Sequence, residues 1–147
     1  ELYRLSHPVD SERFLLRLSM AQVASDGPFS TFPGIDRTLL LLKGKGFRLH
    51  FPEQLEVVLD QPFVPLYFSG EDTIECQLIA GACQDFNVMI DRTWGQAKTH
   101  LSQEQEFTTT RLRLVFDPEQ EILVVLAVGE SWSRKESTTV IVVDVDY

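Results

Sequence analysis

Thr38-Leu-Leu-Leu-Leu-Lys-Gly-Lys-Gly-Phe-Arg-Leu-His-Phe51 decides the class of the fold. Its first part is a short solid apolar run and its last part alternates apolar with polar, the two ways in which strands read. Between them, Lys43-Gly44-Lys45-Gly46 is a tight connection whose glycines accept positive φ, so a hairpin between the flanking strands is expected. Outward from this segment the same short periods recur. Strands are expected over residues 14–21, 38–42, 47–51, 56–59, 64–69, 74–80, 86–90, 108–116, 122–128 and 139–145. Few windows sustain the i, i+3, i+4 spacing of a helix, and this many short strands imply an all-β sandwich or barrel. Residues 117–121, Asp-Pro-Glu-Gln-Glu, separate two strongly apolar strands and read as a second hairpin turn, with proline presetting φ.

Two stretches interrupt the pattern. Ser25-Asp-Gly-Pro-Phe-Ser-Thr-Phe-Pro-Gly34 brackets two phenylalanines between Gly/Pro pairs, where no strand is expected to run. A loop this polar carries Phe29 and Phe32 because the rings cover something, either the end of a barrel or a ligand. Residues 93–107 form the other irregular stretch, and Ser102 to Gln105 has capping-box spacing for one helical turn. No sequence repeat and no linker is visible. The chain therefore reads as a single domain over 1–147, with internal halves at about 1–92 and 93–147 that could each hold about five strands.

Composition bounds the function. A chain of 147 residues, 44% hydrophobic and 24% charged, has enough apolar surface for one globular core. Its 13 basic and 22 acidic residues leave a net charge of −9, with the acids spread along the chain, which disfavours nucleic-acid phosphates and anionic lipid. No apolar stretch approaches the roughly 20 residues that cross a bilayer. Two cysteines, Cys76 and Cys83, cannot make a disulfide scaffold; they lie seven apart on an expected strand interrupted by Gly81 and read as core packing. The N-terminus opens on Glu1 with no signal-peptide pattern, so the expectation is a cytoplasmic protein slightly trimmed at its start.

Catalytic and metal signatures are absent from the sequence. His7, His50 and His100 have no second histidine, cysteine or carboxylate at metal-ligand spacing, so neither metal nor cofactor is expected. Neither a nucleophile elbow nor a phosphate loop is present, and no neighbouring base marks Cys83 as a nucleophile. What remains is a set of polar residues in apolar settings: Asp26, Ser30, Asp36, Arg37, Asp85, Asn87, Asp91 and Arg92. Asn87 alternates with Phe86 and Val88 and shares the opposite face with Met89. A buried amide without partners costs several kcal/mol by solvent-transfer estimates, so Asn87 either cross-links backbone groups or awaits a ligand. A purely structural network, with Arg37 or Arg92 paired to Asp26 or Asp36, is the competing expectation.

Several of these residues sit in long, unusual strings. Residues 25–37, followed by Thr38-Leu-Leu-Leu-Leu-Lys-Gly-Lys-Gly46, resemble the signature of the HutD/Ves family. So do Phe68-Ser-Gly-Glu-Asp72, Gly81-Ala-Cys-Gln-Asp-Phe-Asn-Val-Met89 and Asp91-Arg92. Leu16-Arg-Leu-Ser-Met-Ala21 extends the match, with leucine at position 16 where the family pattern leads one to expect tryptophan. The resemblance covers roughly residues 16–92; beyond them only the β pattern is compatible.

The resemblance implies a cupin-like double-stranded β-helix, with two fused cupin-type barrels in one compact chain. The histidines and glutamate of a metal cupin do not appear, so a dioxygenase is not implied. Family members named HutD accompany histidine-utilisation genes and are thought to bind a pathway intermediate, with N-formylglutamate proposed, and so to limit pathway expression; Ves members are described as stress-related. A small acidic metabolite suits the residues already singled out, because arginine offers a planar fork matched to a carboxylate. Arg37 and Arg92 are expected to clamp it, with Asn87 reading an amide-like group and Ser30 donating a hydroxyl. Phe29, Phe32 and Met89 would wall the pocket, and Asp26 and Asp36 would orient the arginines. Two rivals stand beside this non-catalytic binder. One is a metal-free isomerase or lyase using Asp36 or Asp85 near an arginine. The other is an interaction module, such as a homodimer formed through strand edges or the Phe29/Phe32 loop.

Overall fold

A strand covered on both faces carries apolar side chains at consecutive positions instead of alternating ones. This is the state of β4 (Ile35–Lys43), in which every residue from 37 to 42 is buried; β9 (Cys83–Asp91) beside it is as deeply buried but keeps Asp85, Asn87 and Asp91 among its apolar residues. The computed structural model describes residues 1–147; it is all-β apart from a single 3₁₀ turn at Pro52–Gln54, and no helix is long and apolar enough to cross a membrane. Two units are distinguished, Glu1–Trp94 and Gly95–Tyr147.

In the first unit, β1 (Tyr3–Ser6), β2 (Phe14–Val23), β9, β4 and β7 (Leu66–Ser69) form a five-stranded antiparallel sheet in that order. A second sheet runs β3 (Gly27–Pro28), β8 (Glu75–Leu78), β5 (Phe47–His50), β6 (Glu56–Leu59). One core joins them, with Leu39 and Leu41 of β4 packed among Phe47, Leu49, Leu59, Ile74, Cys76 and Cys83. The second unit is a four-stranded sheet of β10 (Gln96–Ser102), β15 (Val140–Asp146), β12 (Leu112–Asp117) and β13 (Ile122–Leu126), with a two-stranded piece, β11 (Glu106–Thr108) and β14 (Ser131–Ser133). Its core holds Phe107, Val115, Leu126, Val140 and Val142, with Trp132 stacked on Phe107. The all-β antiparallel architecture agrees with the expected fold class and with a cupin-like fold.

The turn at 117–121 joins β12 to β13 as expected, Asp117 facing Ile122 and its Oδ1 accepting the N–H groups of Glu119 and Gln120 at 2.9 and 3.1 Å. The other expected hairpin does not form: β4 pairs with β7 and β9, whereas β5 pairs with β6 and β8. Lys43–Gly46 therefore carries the chain from one sheet to the other. Its glycines take positive φ, +104° and +103°, yet what they chiefly provide is clearance. A Cβ on Gly44 would lie 2.6 Å from the Cys83 sulfur, and one on Gly46 would lie 2.3 Å from the Leu59 carbonyl oxygen. Residues 93–107 are also more regular than expected, since they contain β10 and the start of β11 and no helical turn. β10 is a polar edge strand, so it lacks the apolar alternation by which strands are recognised. The Ser102 hydroxyl accepts the Glu104 N–H at 3.1 Å, a local turn bond in place of a helix cap. The loop 25–34 likewise holds a minimal strand, β3, where none was expected. Cys76 and Cys83 lie on separate strands, β8 and β9, because the chain turns at Gly81 with φ +77°.

Gly46→Ala combines a forbidden φ with a backbone clash and is expected to cost roughly 2–4 kcal/mol in chemical denaturation, whereas Lys45→Ala in the same connection should stay within about 0.5 kcal/mol. Both thiols are buried and free. Burial pushes the Cys76 thiol up to about 11, with Asp26, Asp85 and Cys83 adding to the shift. Labelling of Cys76 in the native protein by a water-soluble maleimide should therefore be roughly a hundredfold slower than in urea; comparable rates would contradict the burial.

Candidate functional site

Period two in β4 sends Asp36 and Arg37 to opposite faces, and that divides the candidate residues into two groups. On one face, the cross-strand register sets Arg17, Met89, Arg37 and Phe68 side by side from β2, β9, β4 and β7. Arg37 is only 8% exposed. Three rings surround its guanidinium carbon, Phe29 at 5.7 Å, Phe32 at 5.3 Å and Phe68 at 5.0 Å from the ring centroids.

A buried guanidinium needs acceptors, and two of its groups have them. Nη1 donates to the Ser30 carbonyl at 3.1 Å and Nη2 to Asn87 Oδ1 at 2.9 Å. The Asn87 amide in turn donates to Asp85 Oδ1 at 3.1 Å, so asparagine links the buried cation to a buried anion. The Arg37 Nε–H, also buried, has no partner. Burial lowers the Arg37 pKa, the Asp85 charge raises it, and the nearby Arg17 lowers it again. Burial pushes the Asp85 carboxyl up to about 6, against the opposing pull of Arg37 and of the hydrogen bonds it accepts.

The loop over Arg37 is held by its backbone. Phe29 N–H donates to the Ile74 carbonyl at 2.9 Å and Phe32 N–H to that of Gly70 at 2.7 Å. Gly70 has no alternative there, because a Cβ would come 2.2 Å from the Phe32 carbonyl oxygen. Phe29 and Phe32 are both half-buried. Phe29, whose ring lies against Arg37, also lines a surface depression of about 300 Å³ formed by residues 22–29 and Cys76.

On the other face, Arg92 is fully engaged. Its Nε donates to Asp36 at 3.0 Å, Nη1 and Nη2 bind the two Glu71 oxygens at 2.9 and 2.7 Å, and Nη2 also reaches Ser69 Oγ at 3.0 Å. Glu71 Oε1 accepts the Gly34 N–H at 2.7 Å, which ties the end of the Phe29/Phe32 loop to this clip. Arg92, and then Ser69, hold the Glu71 carboxyl well below the usual carboxylate range, and Glu71 raises the Arg92 pKa in return.

The expected site residues thus separate. Phe29, Phe32, Arg37 and Asn87 come together, and Met89 packs with Phe32, Phe14 and Ile35. Ser30 contributes its carbonyl to Arg37, and its side chain is exposed. Arg37 and Arg92 do not converge. Asp36 orients Arg92, while Asp26 accepts the Leu78 N–H at 2.8 Å and touches neither arginine. Arg17, Phe68 and Glu71 belong to the two clusters and were not expected in them. Arg17 carries the signal that finds it, since it starts the polar face of β2 that continues through Ser19. The histidines remain apart, and no group of three His, Cys, Asp or Glu side chains is placed to hold a metal ion.

The HutD family's sequence profile matches residues 1–142. An uncharacterised 21.2 kDa protein of the hutC 3′ region of Pseudomonas putida is 42% identical over 73 residues, which is 50% of this chain and 38% of that protein. Protein Ves of Escherichia fergusonii is 34% identical over 103 residues, 69% of this chain and 53% of its own length. The chain thus spans about half or less of these curated relatives. Among solved structures, a conserved protein of unknown function from Pseudomonas aeruginosa PAO1 superposes with TM-score 0.76 at 25% identity, over 90% of this chain and 83% of that one. HutD from Pseudomonas fluorescens SBW25 superposes with TM-score 0.72 at 23% identity, over 97% and 84%, a likeness of fold.

The raised Asp85 pKa has a defined sign in stability. Native Asp85 holds its proton to about pH 6 and the unfolded residue only to 3.8, so the stabilisation is complete below pH 3.8 and is lost as pH rises through 6. In that window wild type should lose on the order of 2–3 kcal/mol relative to Asp85→Asn, and the Asp85 carboxyl carbon should titrate by NMR near pH 6. A titration near 4 would refute the shift.

Proposed function

The chain belongs to the HutD family, which is linked to histidine utilisation, and we propose that it binds a small acidic metabolite of the N-formylglutamate type without turning it over. In this reading it is a metal-free regulatory protein of histidine utilisation or stress response, its units being small cupin-type barrels. The observation that carries the proposal is Arg37, a cation held inside an aromatic cage with one buried N–H left unpartnered. A ligand carboxylate supplies the acceptor that the Nε–H lacks, and Asn87 is within reach of an amide-like group on the same ligand. In this reading the ligand enters from the depression that Phe29 lines. Arg17, beyond Met89 on the same face, is the second cation there, and a second ligand carboxylate would take the place of Glu1, which lies 2.8 Å from its Nε. Arg92 acts as the latch of the loop.

A metal-free isomerase or lyase is the second reading, and it rests on Asp85, whose pKa of about 6 suits proton transfer near neutrality. Turnover of the bound acid separates it from simple retention.

N-formylglutamate should raise the melting temperature of the protein where its uncharged diamide does not, because ligand that binds only the native state stabilises it. Arg37→Lys keeps the charge and loses the planar fork, and should weaken binding by about 1–3 kcal/mol in calorimetry. Arg92→Lys should lower the ligand-free melting temperature and leave the affinity near wild type. If no acidic metabolite shifts the wild type while Arg37→Lys lowers ligand-free stability, the cage is structural and the proposal falls.

A further inference from the structure

The sheet of the second unit changes character along one face. Val140 and Val142 of β15, Val115 of β12 and Leu126 of β13 pack with Phe107 of β11 and Trp132 of β14. Alternation then brings Asp144 and Asp146 to the same face two and four residues further along β15. The register sets Lys98 of β10 and Arg113 of β12 on either side of Asp144, at positions where continued alternation would place core residues. Over these charges lies an open cavity of about 510 Å³, walled by residues 108–112 and within the size range of small-molecule sites.

The charges are not balanced within the cavity. Asp144 Oδ1 accepts from Arg113 Nε at 2.6 Å, and its Oδ2 lies 3.6 Å from His100 Nδ1. Arg113 Nη1 donates to the Thr108 carbonyl at 2.8 Å, while its Nη2 makes no hydrogen bond. Lys98 makes neither hydrogen bond nor ion pair. Arg111 is engaged by Asp146 at 3.0 Å and by the Tyr147 carbonyl, so the unengaged donors of the cavity are the Lys98 ammonium and Arg113 Nη2, on a chain of net charge −9.

We propose that this cavity is a second ligand site, for a small metabolite bearing an oxyanion, a carboxylate or phosphate group, held between the Lys98 ammonium and the unengaged Nη2 of Arg113. The exposed Thr110 on the wall offers a hydroxyl to the same group. The site is independent of Arg37 and its cage. Asp144 fixes the Arg113 fork through Nε and leaves the outer nitrogen for the ligand.

NMR titration of the full chain at constant ionic strength, with inorganic phosphate and separately with succinate, tests this. Saturable shifts confined to residues 96–98, 108–113 and 144–146 are expected with at least one of the two, and the one that saturates identifies the oxyanion class. Lys98→Gln alters an exposed side chain that contacts no partner, so it should fold normally and bind roughly tenfold more weakly or worse. Arg37→Lys should leave these shifts unchanged, which separates this site from the one proposed above. Shifts that stay linear to about 10 mM for both anions, or an unchanged affinity in Lys98→Gln, would show a merely solvated charged face and overturn the proposal.

Discussion

The first unit is organised around the burial of one positive charge. An arginine at 8% exposure is tolerated only where its guanidinium finds acceptors and counter-charge, since an unpaired ion in a protein interior costs several kcal/mol. Asp85 supplies the counter-charge and Asn87 conveys it, while three aromatic rings offer their negative faces to the remaining surface. The partners come from three separate parts of the chain, β7, β9 and the loop, so the cage exists only when these and β4 are all in place. The loop's position follows from this, because Ser30 and the two phenylalanines reach Arg37 only if residues 29–32 lie across the strand.

Close backbone approach is the second constraint, and three glycines of the first unit, Gly44, Gly46 and Gly70, serve it. Gly70 lets the loop carbonyl of Phe32 come against β7, and Gly44 and Gly46 let the connection from β4 to β5 pass the strands that carry Cys83 and Leu59. This is why the Lys-Gly-Lys-Gly signal misleads when read locally. Positive φ is a property of the residue, and the sequence marks it correctly; whether the chain then returns along the same sheet or crosses to another depends on partners far away in sequence. By contrast, the turn at 117–121 is local in every respect, with Asp117 binding the next amides, and its reading holds.

What was legible followed the same division. The solid run of β4 reads as a strand, and the loop's two phenylalanines read as covering something. The anomaly of an amide at position 87 inside an apolar strand marked the centre of the cage. Pairings across long separations were not legible: Arg37 and Asn87 are 50 residues apart, and Arg92 reaches Glu71 and Asp36 from 21 and 56 away. Arg37 and Arg92 looked alike as residue types. The face each occupies is fixed by the parity of its strand position and by which strands become neighbours, and only the fold supplies the latter. β10 was missed for a different reason, since an edge strand is kept polar and so loses the alternation by which it would be recognised.

Burial also distinguishes the two arginines in what an anion would meet. The chain's net charge of −9 opposes an anionic ligand at long range, and salt screens fields beyond about 8 Å at physiological ionic strength. Recognition must therefore come from short contacts where water is excluded and each hydrogen bond counts for more. Arg92 sits 38% exposed with Asp36 and Glu71 already holding its donors, so a ligand carboxylate would have to displace two resident carboxylates in a screened setting. Arg37 sits in a buried aromatic enclosure with a donor left over, and its counter-charge acts through an intervening amide without occupying that donor. Such an arrangement leaves a buried donor unsatisfied, a cost in stability that an acceptor placed against it would remove.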